Sequence, residues 1–334
     1  MFGSLLKTHS IKEKPFDIFN VVFVGNVGSG GGGATDGIIT GGEISTASTT
    51  DNSDKIDITA GTANGTFGDL GTGRSRHTGV SSGDGFGMVT GGEASGITFT
   101  TDSDKIDFTA ETANGTFGDI SVGTRYLAGV SSGSGTGVVG GGYKHLNTEL
   151  TTCYKVDFSA GTANGSFGSL SVGRHRHTAV SSGDGVGIFS GGQVVGSNFS
   201  VDSDKIDISA GNANGAFGDL SVAAWGLYGV SSGDGVGVIS GGLISGSSFS
   251  TNSDKVDFSA GTANGTFGDL GTGKNKHTGV SNGDGLAVFT GGTTSTVSYS
   301  VDSDKVDFSA GTANGTFGDL GTGRYYTVGI GYSI

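Results

Sequence analysis

A glycine pair recurs every 50 residues along the chain, and this spacing constrains the fold more than any other feature. The pairs begin, with no insertion or deletion between them, at Gly41, Gly91, Gly141, Gly191, Gly241 and Gly291. Two further markers keep the same period: Lys-[Ile/Val]-Asp from Lys55 onward, and Asn-Gly-x-Phe-Gly from Asn64 onward. A fixed period of this length indicates a repeat architecture, in which each repeat packs on its neighbours.

Each repeat predicts four short strands. In the second repeat we expect strands over 77–81, 86–90, 105–108 and 116–120, with Asn114-Gly115 as the hairpin turn before the fourth, because both residue types tolerate positive φ. The chain has 70 glycines and one proline, and no amphipathic helix follows residue 20. Such a composition favours strands and tight turns over helices.

The 50-residue unit resembles the kelch repeat, in which Gly-Gly also ends the second strand. The Arg-x-x-His that opens the first strand fits as well, at Arg74 and at Arg174. Two features depart from the kelch pattern: Ile or Val replaces the kelch Tyr before Asp, and Phe replaces the kelch Trp, as at Phe67. The resemblance covers residues 20 to 334. It implies an all-β fold, a six-bladed β-propeller built from six four-stranded kelch-like repeats over 19–334, preceded by an attachment segment at 1–18.

A narrower likeness is to Gly-rich repeat structural proteins of marine tailed bacteriophages. Gly-Thr-Phe-Gly-Asp-Leu from Gly65 and Gly-Val-Ser-Ser from Gly129 carry it. It implies a virion structural protein, in a tail fibre or on the capsid surface, assembled in the host cytoplasm. Other virion proteins would then be partners through residues 1–18, and a homo-oligomer is compatible with this.

The two ends of the chain predict how the ring closes. The position where the first repeat should have its first strand is glycine-rich, over 28–33, whereas residues 327–331 stand in register with 77–81. We therefore expect the C-terminal strand to complete the first blade. An open solenoid is the alternative, and it would leave sheet edges that need caps. The strand-like run at 21–24 would be free to dock on a neighbour.

The repeats differ chiefly in two sets of loops, which propeller geometry places on one face: those joining the fourth strand to the next first strand, and those joining the second to the third. Nine of the 18 Lys and Arg residues fall in these loops, with the only tryptophan. The face is predicted to bind a host-surface glycan or protein. The predicted binding residues are Arg74, Arg76, Arg125, Tyr126, Arg174, Arg176, Trp225, Tyr228, Lys274, Lys276, Arg324 and Tyr325. For Arg74 and Arg174, a scaffold role within the kelch pattern is the alternative.

Other functions find less support in the sequence. The net charge of −13 disfavours general nucleic-acid binding, and no apolar run is long enough for a membrane span. Asp102, Asp104 and Asp107 resemble a calcium loop, but pairing with Lys105 is the plainer account, so neither metal nor cofactor is expected. Near-identical repeats supply no unique catalytic set, so we expect no enzyme. The alternatives are a purely architectural part of a virion, such as a capsid decoration or tail spacer, and a cellular kelch-like adaptor.

Overall fold

The chain folds into six four-stranded antiparallel sheets, one for each repeat. The computed structural model describes residues 36–45, 48–58, 60–94, 98–145, 148–244, 248–294, 299–320, 325–326 and 328–331. Within these ranges the only helical element is the 3-10 turn Val195–Ser197, and no helix could cross a membrane. The segment 1–18 and the run 21–24 lie outside the described residues.

Strand bounds repeat closely from blade to blade. Blade two contains Thr78–Ser81, Phe86–Thr90, Ser103–Asp107 and Thr112–Thr116, and blade three contains Ala128–Ser131, Thr136–Gly140, Thr152–Asp157 and Thr162–Ser169. Blade four contains Thr178–Ser181, Val186–Ser190, Ser203–Asp207 and Asn212–Ala216, and blade five contains Tyr228–Ser231, Val236–Ser240, Ser253–Asp257 and Thr262–Thr266. Blade six contains Thr278–Ser281, Leu286–Thr290, Ser303–Asp307 and Thr312–Thr316. Blade one contains Asp36–Ser45, Ser48–Asp57, Thr62–Thr66 and Val328–Gly331.

The ring closes through the C-terminal strand, as the register of residues 327–331 predicted. Val328–Gly331 pairs antiparallel with Asp36–Ser45, and Ile38 stands opposite Ile330. The first strand of each blade contacts the first strands of both neighbouring blades, so that these six strands form an unbroken cycle around the axis. The protein is therefore a closed six-bladed β-propeller, and its two ends meet in blade one.

Apolar layers between neighbouring blades form the core. Val80 and Met88 of blade two pack against Val139 and Tyr154 of blade three, and each of the four is almost completely buried. Near the axis the blades approach so closely that a side chain at Gly129 would place its Cβ 2.7 Å from the carbonyl oxygen of the preceding blade's Gly79. Glycine in the first strands thus allows six strands to converge.

The glycine pair joins each blade to the next. Gly91 and Gly92 adopt φ of 65° and 101°, a region that favours glycine. The N–H of Gly92 donates to the carbonyl of Thr124 in the next blade, at 2.8 Å, and the equivalent bond recurs at three later blades. A Cβ on Gly91 would also stand 2.7 Å from the carbonyl oxygen of Thr124, so both the conformation and the close approach require glycine, which explains why this pair marks every repeat.

The turn between the third and fourth strands differs from the sequence prediction. Asn114-Gly115 lies within the fourth strand, Thr112–Thr116, rather than in the hairpin turn. The turn follows Asp107, whose carboxylate accepts the N–H groups of residues 109 and 110 at 3.0 and 2.9 Å. Gly115 instead permits close strand pairing, because an added Cβ would stand 2.9 Å from the Cβ of Lys105. An Asx-type turn, with the carboxylate as acceptor, has therefore replaced the expected Asn-Gly turn.

Candidate functional site

The two sets of variable loops lie together, as expected. In blade two, Arg74–Ser75 pairs with Glu93–Ala94, which in turn pairs with Thr98–Phe99. The same small three-stranded sheet recurs in blades three and four, and single bridges through Trp225 and Asn275 mark its place in blades five and six. The face on which the repeats differ is therefore one continuous surface.

One residue from each blade forms a ring around the axis of this face, which we call the axial ring. All six members have positive φ, between 54° and 69°; they are Arg76, Tyr126, Arg176, Gly226, Lys276 and Tyr326. Each N–H from Tyr126 onward donates to the carbonyl of the preceding member, over 2.7 to 3.4 Å. Only glycine adopts this backbone region without strain, so these hydrogen bonds hold five side chains in a costly conformation.

Arg76 is the most fully paired cation of the axial ring. Its guanidinium lies 5.6 Å from the ring centroid of Tyr126 and 5.1 Å from that of Tyr326, and it forms ion pairs with Glu43 and Glu93. The two tyrosine hydroxyls approach to 3.4 Å beside it. Two carboxylates and two aromatic rings therefore satisfy this charge internally.

Two further predicted residues share these carboxylates. Arg125 pairs with Glu93 and lies 4.5 Å from the ring centroid of Phe99. Tyr325 donates its hydroxyl to Glu43 at 2.8 Å and stacks on Tyr299, with centroids 4.6 Å apart. The side of the axial ring formed by blades one to three is thus a closed network of charges and aromatic rings.

The other side of the axial ring is less complete. Arg176 lies 4.5 Å from the ring centroid of Trp225, and its guanidinium donates to the side-chain oxygen of Gln193 at 3.0 Å. Lys276 places its ammonium 5.6 Å from Trp225 and 4.6 Å from Tyr326. Neither cation forms an ion pair with a carboxylate of the described residues.

Four residues predicted to bind a ligand are placed inside the protein instead. Arg74, Arg174 and Lys274 have no exposed surface, and each pairs with an aspartate of the third strand. Tyr228 is 6% exposed and belongs to an apolar core cluster. Arg74, Arg174 and Lys274 show no surface that a ligand could contact, and Tyr228 packs within the apolar core, so these four are not part of the candidate site. For Arg74 and Arg174, the buried position fits the alternative that they have a scaffold role.

Burial fixes the charge of the titratable groups near the axial ring. Burial raises the pKa of Tyr126 to about 12. For His175, burial together with the nearby Arg176 and Arg125 lowers the pKa to about 3. Burial also lowers the pKa of Lys276, an effect to which Arg176 adds. Tyr126 and His175 are therefore neutral at pH 7, and the arginines supply fixed positive charge.

The opposite face of the propeller is acidic. Exposed aspartates occupy its first-to-second-strand turns, at Asp84, Asp184, Asp234 and Asp284. A cleft of about 470 Å³ lies on this face between blades four and five, with Asp184, Lys205 and Asp234 among its lining residues. In the described part of the chain, no group of three or more His, Cys, Asp or Glu residues could hold a metal ion.

Several site residues escaped the sequence prediction, while one predicted residue, Arg324, lies outside the described residues. Glu43, Glu93, Gln193 and Tyr326 contact the predicted cations but were not among the predicted binding residues. The repeat period could have found Tyr326, because it occupies the same place in its repeat as Arg76. Glu43, Glu93 and Gln193 each directly follow a glycine pair, so the repeat period places them at equivalent positions.

Comparison with known proteins supports the fold. Neither the protein-family models nor the curated proteins yielded a match. Among solved structures, that of YjhT is similar, with a TM-score of 0.63 over 84% of this chain and 96% of its own, at 15% sequence identity. At this identity the likeness shows the fold alone.

Proposed function

We propose that this chain is a non-enzymatic binding propeller of a virion, which recognises a host-surface receptor or glycan through its variable face. One observation carries the binding role: the variable loops bring four cations and several aromatic rings around the axis of one face, on a chain that is otherwise acidic. The four cations are Arg76, Arg125, Arg176 and Lys276; among the described residues, Arg76 and Arg125 form ion pairs with Glu43 and Glu93, whereas Arg176 and Lys276 have no carboxylate partner. Cations and aromatic rings are enriched where proteins bind partners.

Binding is favoured over catalysis by the fixed protonation of the site. A general acid or base works best with a pKa near the operating pH. The pKa of Tyr126 is raised to about 12 and that of His175 is lowered to about 3, so neither exchanges a proton at pH 7. These two groups are therefore not poised for general acid–base catalysis at pH 7, which supports a binding role.

The kelch-like family and the virion setting rest on the sequence. The Gly-Gly and Arg-x-x-His elements support a kelch-like identity, and the Gly-Thr-Phe-Gly-Asp-Leu element supports kinship with phage structural proteins. In this setting residues 1–18 would attach the propeller to other virion proteins.

Binding of the purified chain to a glycan array and to bacterial cells, at two salt concentrations, tests the proposal. We expect saturable binding that weakens with salt and is lost when Arg125, Arg176 and Lys276 are replaced together by Ser. Arg76 is kept, because its removal would leave Glu43 and Glu93 without their shared partner. Saturable binding that the triple variant retains would refute a role for this face.

An architectural role is the second candidate, because the two faces carry opposite charge. The exposed aspartates of one face could receive the axial cations of another copy, which would stack propellers head to tail. Sedimentation of the chain at low and high salt separates the two functions. Salt-sensitive self-association favours the stack, whereas a monomer at both salt concentrations favours a receptor-binding propeller.

A further inference from the structure

The three cations of the axial ring differ in how their charges are satisfied. Arg76 forms two ion pairs, with Glu43 and Glu93. In the described part of the chain, the guanidinium of Arg176 donates to the neutral oxygens of Gln193 and Tyr126, at 3.0 and 3.4 Å, and lies against the rings of Tyr126 and Trp225, but has no carboxylate partner. Lys276 has aromatic rings around it, with the charge of Glu43 acting over a longer distance. The positive charge available to a ligand is therefore concentrated at Arg176 and Lys276.

A gap in the axial ring lies between these two cations. Gly226 stands between them in the ring, where the other members carry long side chains. A Cβ built on Gly226 would lie 3.4 Å from the backbone nitrogen of Lys276 and 3.6 Å from its Cγ, which is ordinary van der Waals contact, so there is room for a Cβ. The indole of Trp225 lies within 6 Å of both cationic groups. Arg176, Trp225, Gly226 and Lys276 are thus neighbours at this part of the axial ring, which we call the notch.

The chemistry of the notch selects its ligand. Guanidinium and ammonium groups bind a carboxylate or a sulfate by charge-assisted hydrogen bonds, and an indole binds an apolar surface next to that anion. A long polyanion such as nucleic acid is disfavoured, because the chain as a whole carries a charge of −13. A sugar ring that carries one acidic group offers both features in one small unit.

We infer that Arg176, Trp225, Gly226 and Lys276 form a subsite for an acidic sugar, a pyranose bearing a carboxylate or a sulfate. The inference rests on the proposed binding function of the variable face and specifies its ligand. The acidic group lies between the guanidinium of Arg176 and the ammonium of Lys276, and the sugar ring lies over Gly226 against Trp225. Its neighbours in a longer glycan extend across the variable face.

The single tryptophan makes the test direct. Because Trp225 is the only tryptophan of the chain, its fluorescence reports on the notch alone. We would titrate the full chain with oligogalacturonate, with a sulfated galactan oligosaccharide and with a neutral galactan oligosaccharide, at low and high salt. The two acidic probes distinguish carboxylate from sulfate as the bound group. We expect a saturable change with at least one of them, weaker at high salt, and none with the neutral probe.

Two variants test the notch, and a third is the control. Lys276→Gln removes one cation and is expected to weaken binding about ten-fold or more, as loss of a charge-assisted contact does. Gly226→Tyr fills the gap and removes no charge; Tyr126 and Tyr326 already adopt the same backbone region, with φ of 60° and 55°. It is expected to abolish the fluorescence change. Lys144→Gln, which removes a cation elsewhere on this face, should leave the affinity within about two-fold.

The outcomes separate the subsite from the broader function. A wild-type chain that gives no saturable response to either acidic probe overturns the subsite, as do Gly226→Tyr and Lys276→Gln variants that bind like the wild type. A response to an acidic peptide that equals the response to the sugars overturns the assignment to a sugar. If these variants respond to the acidic probes like the wild type while the triple variant of Arg125, Arg176 and Lys276 loses glycan or cell binding, the proposed function stands and only the notch is refuted. If the notch binds acidic sugar but no cell or array binding occurs, the proposed function is refuted and the subsite remains.

Discussion

Replacement of Arg174 by Ala should measure how strongly the buried cations stabilise each blade. Arg174 has no exposed surface, and its guanidinium donates to the carbonyls of Gly191 and Asp202 at 3.1 and 2.7 Å. It also pairs at 3.0 Å with the carboxylate of Asp204, whose side chain is 3% exposed. Removal of one partner of such a pair leaves an uncompensated buried charge, which costs about 3–5 kcal/mol.

The fifth blade shows how part of this cost can be offset. There Ala224 takes the place of the arginine, and the carboxylate of Asp254 accepts both the N–H and the hydroxyl of Ser221, at 3.1 and 2.6 Å. Asp204 already accepts the N–H of Ser171 at 3.1 Å. If the hydroxyl of Ser171 turns to it as well, one hydrogen bond of about 1 kcal/mol is regained. We therefore expect Arg174→Ala to lower the free energy of unfolding by about 2–4 kcal/mol.

Urea denaturation and calorimetry would measure this loss. An unfolding entropy of about 2.1 cal/mol/K per residue gives about 0.7 kcal/mol/K over 334 residues. The expected fall in Tm is then about 3–6 °C. Arg174→Lys provides the matched control, because Lys274 fills the same place in blade six and pairs with Asp304 at 2.6 Å. This variant should lose only about 1 kcal/mol, since it keeps the charge but fewer donors.

A double variant tests whether the buried pair of Arg174 and Asp204 stabilises the blade. Blade three carries a neutral pair at the equivalent positions, Thr124 and Tyr154, both buried. Arg174→Thr combined with Asp204→Tyr should therefore recover at least half of the stability that Arg174→Thr alone loses. If Arg174→Ala costs less than about 1 kcal/mol, or if the double variant is no more stable than the single one, the buried pair does not stabilise the blade as argued.

Four further perturbations have expected outcomes. Deletion of residues 325–334 removes the strand that closes blade one and should lower Tm by about 10 °C or more; an unchanged Tm in calorimetry would contradict closure by this strand. His277→Leu tests acid sensitivity, because burial holds the pKa of His277 well below its ordinary value. Below about pH 6.5 the unfolded chain therefore takes up a proton at this histidine while the folded protein does not. The stability that is present above that pH is lost as the pH falls, by about 1.4 kcal/mol per pH unit for each such histidine. Urea titrations at pH 7.5 and 5.5 should show a smaller loss for the variant, and equal losses would refute the argument. Glu111→Gly relieves a φ of 53° at a turn position but removes the partly exposed ion pair with Lys55, at 2.9 Å. It should therefore raise the free energy of unfolding by only about 0.5 kcal/mol; a loss above about 1 kcal/mol in urea denaturation would contradict strain there. Lys276→Gly should leave that free energy within about 1 kcal/mol, whereas Arg76→Gly should lower it by about 3 kcal/mol or more; equal losses in urea denaturation would contradict the difference in pairing.

The sequence predicted the ring and its closure because both follow from spacing. Six copies of one unit with no insertion leave one strand too few in the first repeat and one too many after the sixth, and Val328–Gly331 fills that vacancy. The third-to-fourth-strand turn could not be predicted in the same way. Both Asn114-Gly115 and the stretch after Asp107 are good turn sequences, and only the pairing register of the strands decides between them.

The directions in which the arginine side chains point were harder to predict from the sequence. Arg74 and Arg76 stand two residues apart, a spacing that in a regular strand would put both side chains on one face. The chain departs from a regular strand at Arg76, where φ is 56°, so Arg74 is buried in the blade while Arg76 contacts other members of the axial ring. Composition cannot reveal this departure. A comparison of the second and third repeats gives a hint of the buried pair, because Arg74 and Asp104 are replaced together by Thr124 and Tyr154.

The strain of the axial ring is itself an argument for function. Gly226 shows that glycine fits this position, and glycine would avoid a cost of about 1–2 kcal/mol at each of the five strained members. Ion pairs with two glutamates offset that cost at Arg76, but no such pair offsets it at Arg176 or Lys276 among the described residues. Backbone strain of this kind is found at binding sites, where it holds side chains ready for a ligand. The strained Arg176 and Lys276, which have no carboxylate partner among the described residues, are therefore an argument in favour of the proposed binding role.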